Sequence, residues 1–227
     1  MLRGIHMNDD LNVADQNGQV LVNVNHPTED VDIYLNPFIG RNIKSHQIGG
    51  IRFMYDNIVE SLTRIKDKSV GFGCILAHAM GLGKTLQIVS FVEIFLRCTC
   101  AKRVLCIVPI NTIQNWLSEF NYWLPENGQQ KLDNDTIINY RRPFKVLLIN
   151  DFAKTHKQRA EIILDWQTNG GVLLIGYEMF RTLVTLKQSN ANSLSGAAKK
   201  TNKRVQLIDL DEEDQILKTQ TSNFADS

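Results

Sequence analysis

The sequence lacks an apolar run long enough to cross a membrane, and it lacks a strong excess of charge of either sign. A membrane-spanning helix needs roughly 20 predominantly apolar residues, and no such run occurs in the chain. Residues 1–12 also lack the apolar centre of a signal peptide. The formal net charge is +1, so any surface for nucleic acid has to be a local patch. We therefore expect no membrane partner, while composition neither favours nor excludes DNA.

Cysteine is scarce, and its spacing does not suit a metal site or a redox pair. The chain has four cysteines, and none forms a C-x-x-C pair. Cys74 and Cys106 lie in apolar runs that predict buried strands. This usage indicates reduced, buried thiols in a cytosolic or nuclear protein.

What the sequence does contain is a phosphate-binding pattern between an apolar run and a helix. Cys74–Leu76 predicts a strand, residues 77–83 form a glycine-bearing turn, and Lys84 opens a helical pattern. Gly81 and Gly83 would let backbone N–H groups close on phosphate oxygens without an intervening Cβ. The helix that follows adds the positive end of its dipole. The order of strand, turn and helix predicts a nucleotide site.

The side chains after the turn are those that a triphosphate and its metal ion require. Lys84 would reach the β- and γ-phosphates and the Thr85 hydroxyl would hold Mg²⁺, so both are predicted catalytic residues. His78 stands where G-x-x-x-x-G-K-[ST] has its first glycine, a position that only begins the loop. The alternative is a glycine-rich turn with a chance Gly-Lys-Thr. The predicted nucleotide-binding residues of the loop are His78, Ala79, Met80, Gly81, Leu82, Gly83, Lys84 and Thr85.

Gln47 is a candidate for recognising the base, since it precedes the phosphate loop in a helical pattern that runs from Ser45 to Ile65. A glutamine amide offers both a donor and an acceptor, as the edge of adenine requires. The alternative is a surface residue of that helix.

Short, continuous apolar runs alternate with helical patterns along the middle of the chain. The runs Val104–Val108, Val146–Ile149 and Val172–Ile175 predict buried strands. The expected helices span residues 84–98, 113–124 with Asn111 or Thr112 as cap, 155–166 and 177–186. This alternation predicts an α/β fold, a parallel sheet with helices on both faces.

The ends of the chain are polar, and they set the predicted domain boundaries. Residues 1–35 are turn-rich and predict an extended lead-in, in which Val20–Val24 could add an edge strand. Residues 36–187 form the folded domain, with a polar surface loop at 125–143. Residues 188–227 are expected to be a disordered insertion or tail.

Four motifs in order resemble those of the Swi/Snf-type helicase-like ATPases, which move or remodel protein–DNA complexes. They cover about residues 36–187 and are far more specific together than singly. The resembling segments are His46-Gln47-x-x-Gly50-x-x-Phe53, Met80-Gly81-Leu82-Gly83-Lys84-Thr85-Leu86-Gln87, Val108-Pro109 with Asn115-Trp116 and Glu119-Phe120, and Gly176-Tyr177-Glu178.

Two departures from the family pattern narrow the resemblance. Most of the family has an acidic pair where this chain has His78-Ala79, and a hydroxyl residue where it has Gly176. His and Gly at these places resemble the ATRX branch, and residues 44–53 and 116–125 resemble one helicase of that branch in particular. Replacement of the hydroxyl puts one contact to a DNA phosphate in doubt.

The resemblance implies a three-layer, RecA-like ATP-binding lobe of a nuclear DNA-dependent ATPase that uses ATP and Mg²⁺ and contacts duplex DNA through its phosphates. In this family the Asp-Glu box and the arginines that complete hydrolysis lie further along the chain. We therefore expect part of one lobe, inactive in turnover by itself. The alternatives are a nucleotide-binding or protein-interaction module without turnover, and a generic P-loop kinase or GTPase, which the order of motifs disfavours.

The tail contains two further patterns. Residues 207–214 superficially resemble a strand with an Asp-Glu box, but Gln206 and Asp209 would not suit a buried strand. Residues 205–214 resemble a SUMO-interacting motif, in which an apolar strand adds to the sheet edge of SUMO. The alternative is an acidic linker that happens to contain aliphatic residues. Residues 199–204 could be a nuclear import patch, and the alternative there is a charged linker. The predicted partner-binding residues are Val205, Leu207, Ile208, Asp211 and Glu212.

Overall fold

The computed structural model describes residues 9–67, 71–131, 137–150 and 152–192. The described residues up to Thr185 form one compact unit, and residues 186–192 belong to a second. The helices in the described part are α1 (Pro37–Asn42), α2 (Ser45–Ile58), α3 (Leu62–Lys66), α4 (Lys84–Cys98), α5 (Ile113–Trp123), α6 (His156–Asn169) and α7 (Tyr177–Asn192). The strands are β1 (Arg103–Val108), β2 (Gln129–Lys131), β3 (Ile137–Asn139), β4 (Val146–Ile149) and β5 (Gly171–Gly176).

The three apolar runs form one parallel sheet, as predicted. Strand β5 lies in the middle, with β1 on one side and β4 on the other. Leu173 is in register with Leu105 of β1 and Leu147 of β4. Every residue of β5 is buried, which explains why its sequence is apolar without alternation.

Helices cover both faces of this sheet, which confirms the predicted three-layer α/β architecture. Alternate residues of β5 point to opposite faces, so Val172 and Leu174 join the core formed with α2, α4 and α5. Leu173 and Ile175 pack instead with side chains of α6 and α7. On the second face, Leu105 and Ile107 of β1 stay 39% and 41% exposed. That face is therefore covered at β5 and β4 but open at β1.

The strand predicted at Cys74–Leu76 is absent, and this prediction was wrong. Residues 71–79 have no regular secondary structure, and Phe72 and Ile75 are 82% and 85% exposed. A strand exists only where a neighbour accepts and donates its ladder bonds. Within the described residues this segment has no paired neighbour. The phosphate loop is therefore entered from an irregular segment.

The helical pattern predicted from Ser45 to Ile65 is broken in the middle. Glu60 has a positive φ of 62°, and α2 ends two residues before it. The Ser61 side chain then accepts from the Arg64 N–H and caps α3. Because Glu60 leaves the helical conformation, one predicted helix becomes two.

Two local predictions between β1 and β4 also need correction. Thr112 is the N-cap residue of α5, as one of the two alternatives predicted, but its side chain makes no capping bond. Residues 110–112 form a 3₁₀ turn in which the Thr112 hydroxyl donates to the Pro109 carbonyl instead. The segment 125–143, predicted as a loop, contains the antiparallel pair β2 and β3.

The lead-in packs into the core more tightly than its polar composition suggested. Val20, Val22, Ile33 and Leu35 are buried in the core shared with α2 and α4. The predicted edge strand is reduced to a single bridge between Leu21 and Tyr34.

Arg52 of α2 fixes the lead-in by hydrogen bonds to its backbone. This side chain is 5% exposed. Its guanidinium donates to the carbonyls of Leu11 and Leu21 at 2.8–3.1 Å and to Asn12 Oδ1 at 2.8 Å.

In the described part of the chain, no helix is long and apolar enough to span a bilayer.

Candidate nucleotide-binding site

The predicted phosphate loop ends at a helix N-terminus whose first N–H groups have no partner in the helix. Helix α4 begins at Lys84, and its first hydrogen bond runs from the Gln87 N–H to the Gly83 carbonyl at 3.2 Å. Gly83, the N-cap, brings no side chain to satisfy these donors. The N–H groups of Gly83, Lys84 and Thr85 are thus available where the helix dipole favours an anion.

The two loop glycines have positive φ angles and different surroundings. Gly81 has φ 84°, and a Cβ built there meets nothing within 4 Å. Gly83 has φ 71°, and its Cβ would lie 2.2 Å from Gln47 Nε2. Gly81 therefore faces open space from which a phosphate can approach, whereas Gly83 is pressed against α2. The loop fits the phosphate chain of a nucleotide.

Lys84 is turned toward its own loop. Its Nζ donates to the carbonyls of His78 at 2.8 Å and Ala79 at 2.9 Å. These neutral acceptors hold the ammonium group at the start of the loop, where the predicted ligand would meet it. Charged phosphate oxygens make stronger hydrogen bonds with an ammonium than carbonyls do.

The Thr85 hydroxyl has no hydrogen-bond partner among the described residues. The Ser90 hydroxyl of α4 donates to the Leu86 carbonyl, and the hydroxyl of Thr99, directly after the helix, donates to the Phe95 carbonyl, each four residues earlier. Four residues before Thr85 the chain is in the loop, outside the helix. The hydroxyl of this half-buried residue is thus left for another ligand.

The remaining predicted loop residues line its outer side. Met80 is 95% exposed and Leu82 is 39% exposed. Ala79 and Gly81 are exposed, while His78 is half-buried. Of the predicted residues, 78–83 form one loop, and Lys84 and Thr85 open α4 directly after it.

The Leu82 carbonyl accepts from three side chains. Gln47 Nε2 lies 3.3 Å and His46 Nε2 3.3 Å from this oxygen, both from α2. Gln87 Nε2 donates from α4 at 3.2 Å. Helices α2 and α4 thus meet at one loop carbonyl.

Gln47 lies beside the phosphate loop, but its amide is already engaged at both ends. Its Oε1 accepts from the Lys44 N–H at 3.0 Å while its Nε2 binds Leu82, and the residue is 8% exposed. Reading an adenine edge would require this amide to exchange one of its partners. That role stays a prediction.

Two buried polar atoms near the loop lack partners in the described part of the chain. They are Gln87 Oε1 and His78 Nδ1. A Cβ built on Gly50 would lie 1.8 Å from Gln87 Oε1 and 3.2 Å from His78 Cε1. The His78 ring also meets His46 edge to face, with 6.0 Å between ring centroids. Gly50 therefore makes the room in which these side chains pack.

Sequence reasoning assigned no role to Gln87, although it belongs to the loop motif. The available signal was its polarity, because Gln87 is fully buried in a helix that is apolar nearly all round. A buried amide is normally placed there by a hydrogen bond.

Two residues of the later motifs, Val108 and Gly176, end β1 and β5 at the carboxyl edge of the sheet. Gly176 is the last residue of β5, and a Cβ on it would lie 3.1 Å from Ile110 Cδ1. Glu119 accepts from Trp123 Nε1 at 2.9 Å within α5. The predicted tail residues Val205, Leu207, Ile208, Asp211 and Glu212 lie outside the described residues.

Comparison with known proteins supports the motifs. A profile of the SNF2-related domain matches residues 46–226. Human Helicase ARIP4 is 56% identical over 213 residues, which are 93% of this chain and 14% of that protein. Mouse Transcriptional regulator ATRX is 38% identical over 170 residues, 73% of this chain and 6% of that protein. Arabidopsis thaliana Protein CHROMATIN REMODELING 20 is 34% identical over 173 residues, which are 75% of this chain and 11% of that protein.

These matches confirm the resemblance to the ATRX branch and, within it, to the androgen-receptor-interacting helicase. The chain spans about a seventh of the length of the helicases named ARIP4 that it matches. The matched domain begins at His46 in α2 and includes residues 78–85 and the parallel sheet. The chain belongs to the SNF2-related family of helicase-like ATPases.

Proposed function

We propose that this chain binds Mg²⁺-ATP through residues 78–85 and forms the ATP-binding lobe of a nuclear, DNA-dependent ATPase that remodels chromatin and regulates transcription. The supporting observation is the unsatisfied N-terminus of α4, which combines free N–H groups with the Lys84 ammonium and the Thr85 hydroxyl. These are the donors and ligand that phosphoryl transfer requires.

The chain's own residues then have distinct tasks. The N–H groups of Gly83 and the first turn of α4 hold the phosphate chain, and Thr85 supplies an oxygen ligand to Mg²⁺. Lys84 exchanges the His78 and Ala79 carbonyls for phosphate oxygens and neutralises charge on the γ-phosphate. Bound Mg²⁺ supplies further charge neutralisation at the β- and γ-phosphates. Gln47 reads the adenine edge.

The proposed partner is duplex DNA, contacted through its phosphates. The supporting observation is the similarity to proteins named as a helicase, as a transcriptional regulator and for chromatin remodeling. Phosphate contacts give tight binding at low salt with weak sequence preference. The same similarity supports a nuclear location.

A module that binds nucleotide without turnover is the second candidate. It would be favoured by the absence, from the full-length protein, of the arginines that complete hydrolysis in this family. Release of inorganic phosphate with and without duplex DNA separates the two candidates. A DNA-stimulated rate in the full-length protein supports the motor, and its absence supports the module.

The tail carries a separate partner proposal, binding to SUMO by strand addition. Val205, Leu207 and Ile208 would enter an apolar groove, and Asp211 and Glu212 would face basic residues. A peptide of residues 203–215 is titrated into labelled SUMO, with Leu207→Ala/Ile208→Ala as control. Micromolar binding that the control loses supports the motif, and equal behaviour of both peptides supports an acidic linker.

Replacing Lys84 tests the nucleotide site directly. Lys84→Ala removes a charge-assisted contact worth about 1.5–3 kcal/mol, so affinity for Mg²⁺-ATP should fall about tenfold or more. Titration with a fluorescent ATP analogue measures the change. Lys157→Ala is the matched control, because Lys157 is an exposed lysine of α6. Equal affinity of wild type and Lys84→Ala would overturn the assignment.

A further inference from the structure

We infer that Gln87 and His46 are positioning residues that, with Gln47, orient the phosphate loop by holding the Leu82 carbonyl against α2 and α4. This inference rests on the proposed nucleotide site. It gives Gln87 and His46 a role in that site in which neither side chain contacts the base or the phosphates.

The peptide unit between Leu82 and Gly83 determines where the Gly83 N–H points. A trans peptide is planar, so the carbonyl of one residue and the N–H of the next point in opposite directions. The Leu82 carbonyl points toward the three side-chain donors. The Gly83 N–H therefore points away from them, and it donates to no acceptor in the described part of the chain. Rotation of this peptide would remove a phosphate donor from the loop.

The three donors to the Leu82 carbonyl differ in how strongly they hold it. All three distances, 3.2–3.3 Å, are at the long end for N–H···O bonds, so none holds the carbonyl alone. Gln87 is fully buried and His46 is only half-buried. Because water competes for the exposed donor, the Gln87 bond should matter most.

Gly50 and Gly83 leave the space that the Gln87 and Gln47 amides occupy. A Cβ at Gly50 would meet Gln87 Oε1 at 1.8 Å, and a Cβ at Gly83 would meet Gln47 Nε2 at 2.2 Å. Either contact would push a flexible amide away from the Leu82 carbonyl. A methyl group at Gly50 should thus mimic loss of the Gln87 donor, and its one contact with the loop would be His78 Cε1 at 3.2 Å.

Positioning and base recognition make different predictions for ligand choice. A residue that reads adenine affects ATP and leaves GTP or inorganic tripolyphosphate unchanged. A residue that orients the Gly83 N–H affects all three, because each presents the same phosphates.

The experiment uses the full chain with Gln87→Met, which keeps the length of the side chain and removes its amide. Ser90→Ala is the matched control, since Ser90 is also fully buried in α4 and loses a hydrogen bond to a backbone carbonyl. Calorimetry gives affinities for ATP, GTP and tripolyphosphate with Mg²⁺. Hydrogen exchange of residues 79–85 is measured without ligand.

We expect Gln87→Met to weaken all three ligands about three- to tenfold, the range for loss of one hydrogen bond, and to raise exchange in the loop. His46→Ala should do the same to a smaller extent, and Ser90→Ala should do neither. Gly50→Ala should behave like Gln87→Met, whereas Gly40→Ala should not, because its Cβ meets only ordinary contacts at 3.6 Å or more.

Unchanged affinities with unchanged exchange in Gln87→Met would overturn the inference, as would a loss confined to ATP. If wild type binds none of the three ligands, the proposed nucleotide site fails. Loop exchange then decides the positioning inference alone: increased exchange in Gln87→Met supports it, and unchanged exchange overturns it.

Discussion

Tyr140 donates its hydroxyl to the carboxylate of Glu93, a residue that is 1% exposed in the middle of α4. The same carboxylate accepts from Arg97, whose guanidinium also reaches the Tyr34 carbonyl of the lead-in. A buried carboxylate is tolerated only when its oxygens are paired. This cluster joins α4, the lead-in and the segment before β4.

Removing the Tyr140 hydroxyl should destabilise the fold. Tyr140→Phe leaves one hydrogen bond of a buried charge unmade, at a cost of about 1–3 kcal/mol. Urea denaturation measures the free energy of unfolding. Tyr34→Phe is the control, because its hydroxyl binds Asp32 at the surface and its loss should cost within about 0.5 kcal/mol. Similar losses in both variants would contradict a special role for the buried carboxylate.

Stability should fall as the solution becomes alkaline, in part through Cys106. Burial raises the pKa of the Cys106 thiol to about 11, against about 8.5 in an unfolded chain. Above the unfolded value the unfolded state releases a proton that the folded state keeps, so stability is lost as pH rises from about 8.5 toward 11. Unfolding free energies measured across this interval should decline less in Cys106→Ala. Cys100→Ser alters an exposed thiol, so its stability should decline with pH as much as that of wild type. A decline in Cys106→Ala as large as that of wild type would refute the prediction.

The two loop glycines should respond unequally to alanine. Both have positive φ, so each substitution costs about 1–2 kcal/mol of backbone strain. Only Gly83→Ala also drives a methyl group into Gln47. Titration of each variant with Mg²⁺-ATP should therefore show a larger loss for Gly83→Ala than for Gly81→Ala. The reverse order would mean that the space around Gly81, rather than the contact at Gly83, controls binding.

Magnesium dependence should be lost with the Thr85 hydroxyl. Thr85→Val keeps the shape of the side chain and removes the oxygen ligand, so Mg²⁺ should no longer strengthen ATP binding. Thr85→Ser retains the hydroxyl and should respond to Mg²⁺ like wild type. Affinities are compared with excess Mg²⁺ and with a chelator. A full Mg²⁺ effect in Thr85→Val would exclude the residue as a ligand.

The parts of the fold that could be predicted are those determined by local pattern. The run Val172–Ile175 predicts a strand buried on both faces because each of its side chains is apolar, whichever face it meets. Cys74–Leu76 is equally apolar, yet it forms no strand, because pairing depends on a neighbour that local sequence does not specify. Residues 78–83 were predictable as a loop because two glycines lie among them, directly before the helical pattern that opens at Lys84.

The contacts that escaped prediction join side chains to backbone carbonyls far away in sequence. Arg52 binds carbonyls 31 and 41 residues away, and Gln47 binds one 35 residues away. A backbone carbonyl looks the same at every position, so no pattern identifies it as a partner. Only the polarity of Arg52 on a buried helix face signals that some acceptor must be present.

Loss of the Arg52 guanidinium should release the lead-in. Arg52→Met leaves the Leu11 and Leu21 carbonyls unpaired, and bonds to a charged donor contribute about 1.5–3 kcal/mol. Limited proteolysis should then cut residues 9–22 faster than in wild type. Arg64→Met is the control, since Arg64 is an exposed residue paired with Glu60, worth at most about 1 kcal/mol. Equal cleavage rates in Arg52→Met and wild type would rule out this anchoring role.

The contact between Gly50 and Gln87 has an evolutionary consequence. Since a Cβ at residue 50 would lie 1.8 Å from the Gln87 amide oxygen, any side chain at residue 50 obliges the Gln87 amide to move. A lineage that gains a side chain at the first must shorten the second or move its amide elsewhere. Among SNF2-related sequences, glycine at the position of Gly50 and glutamine at that of Gln87 should therefore be inherited as a pair.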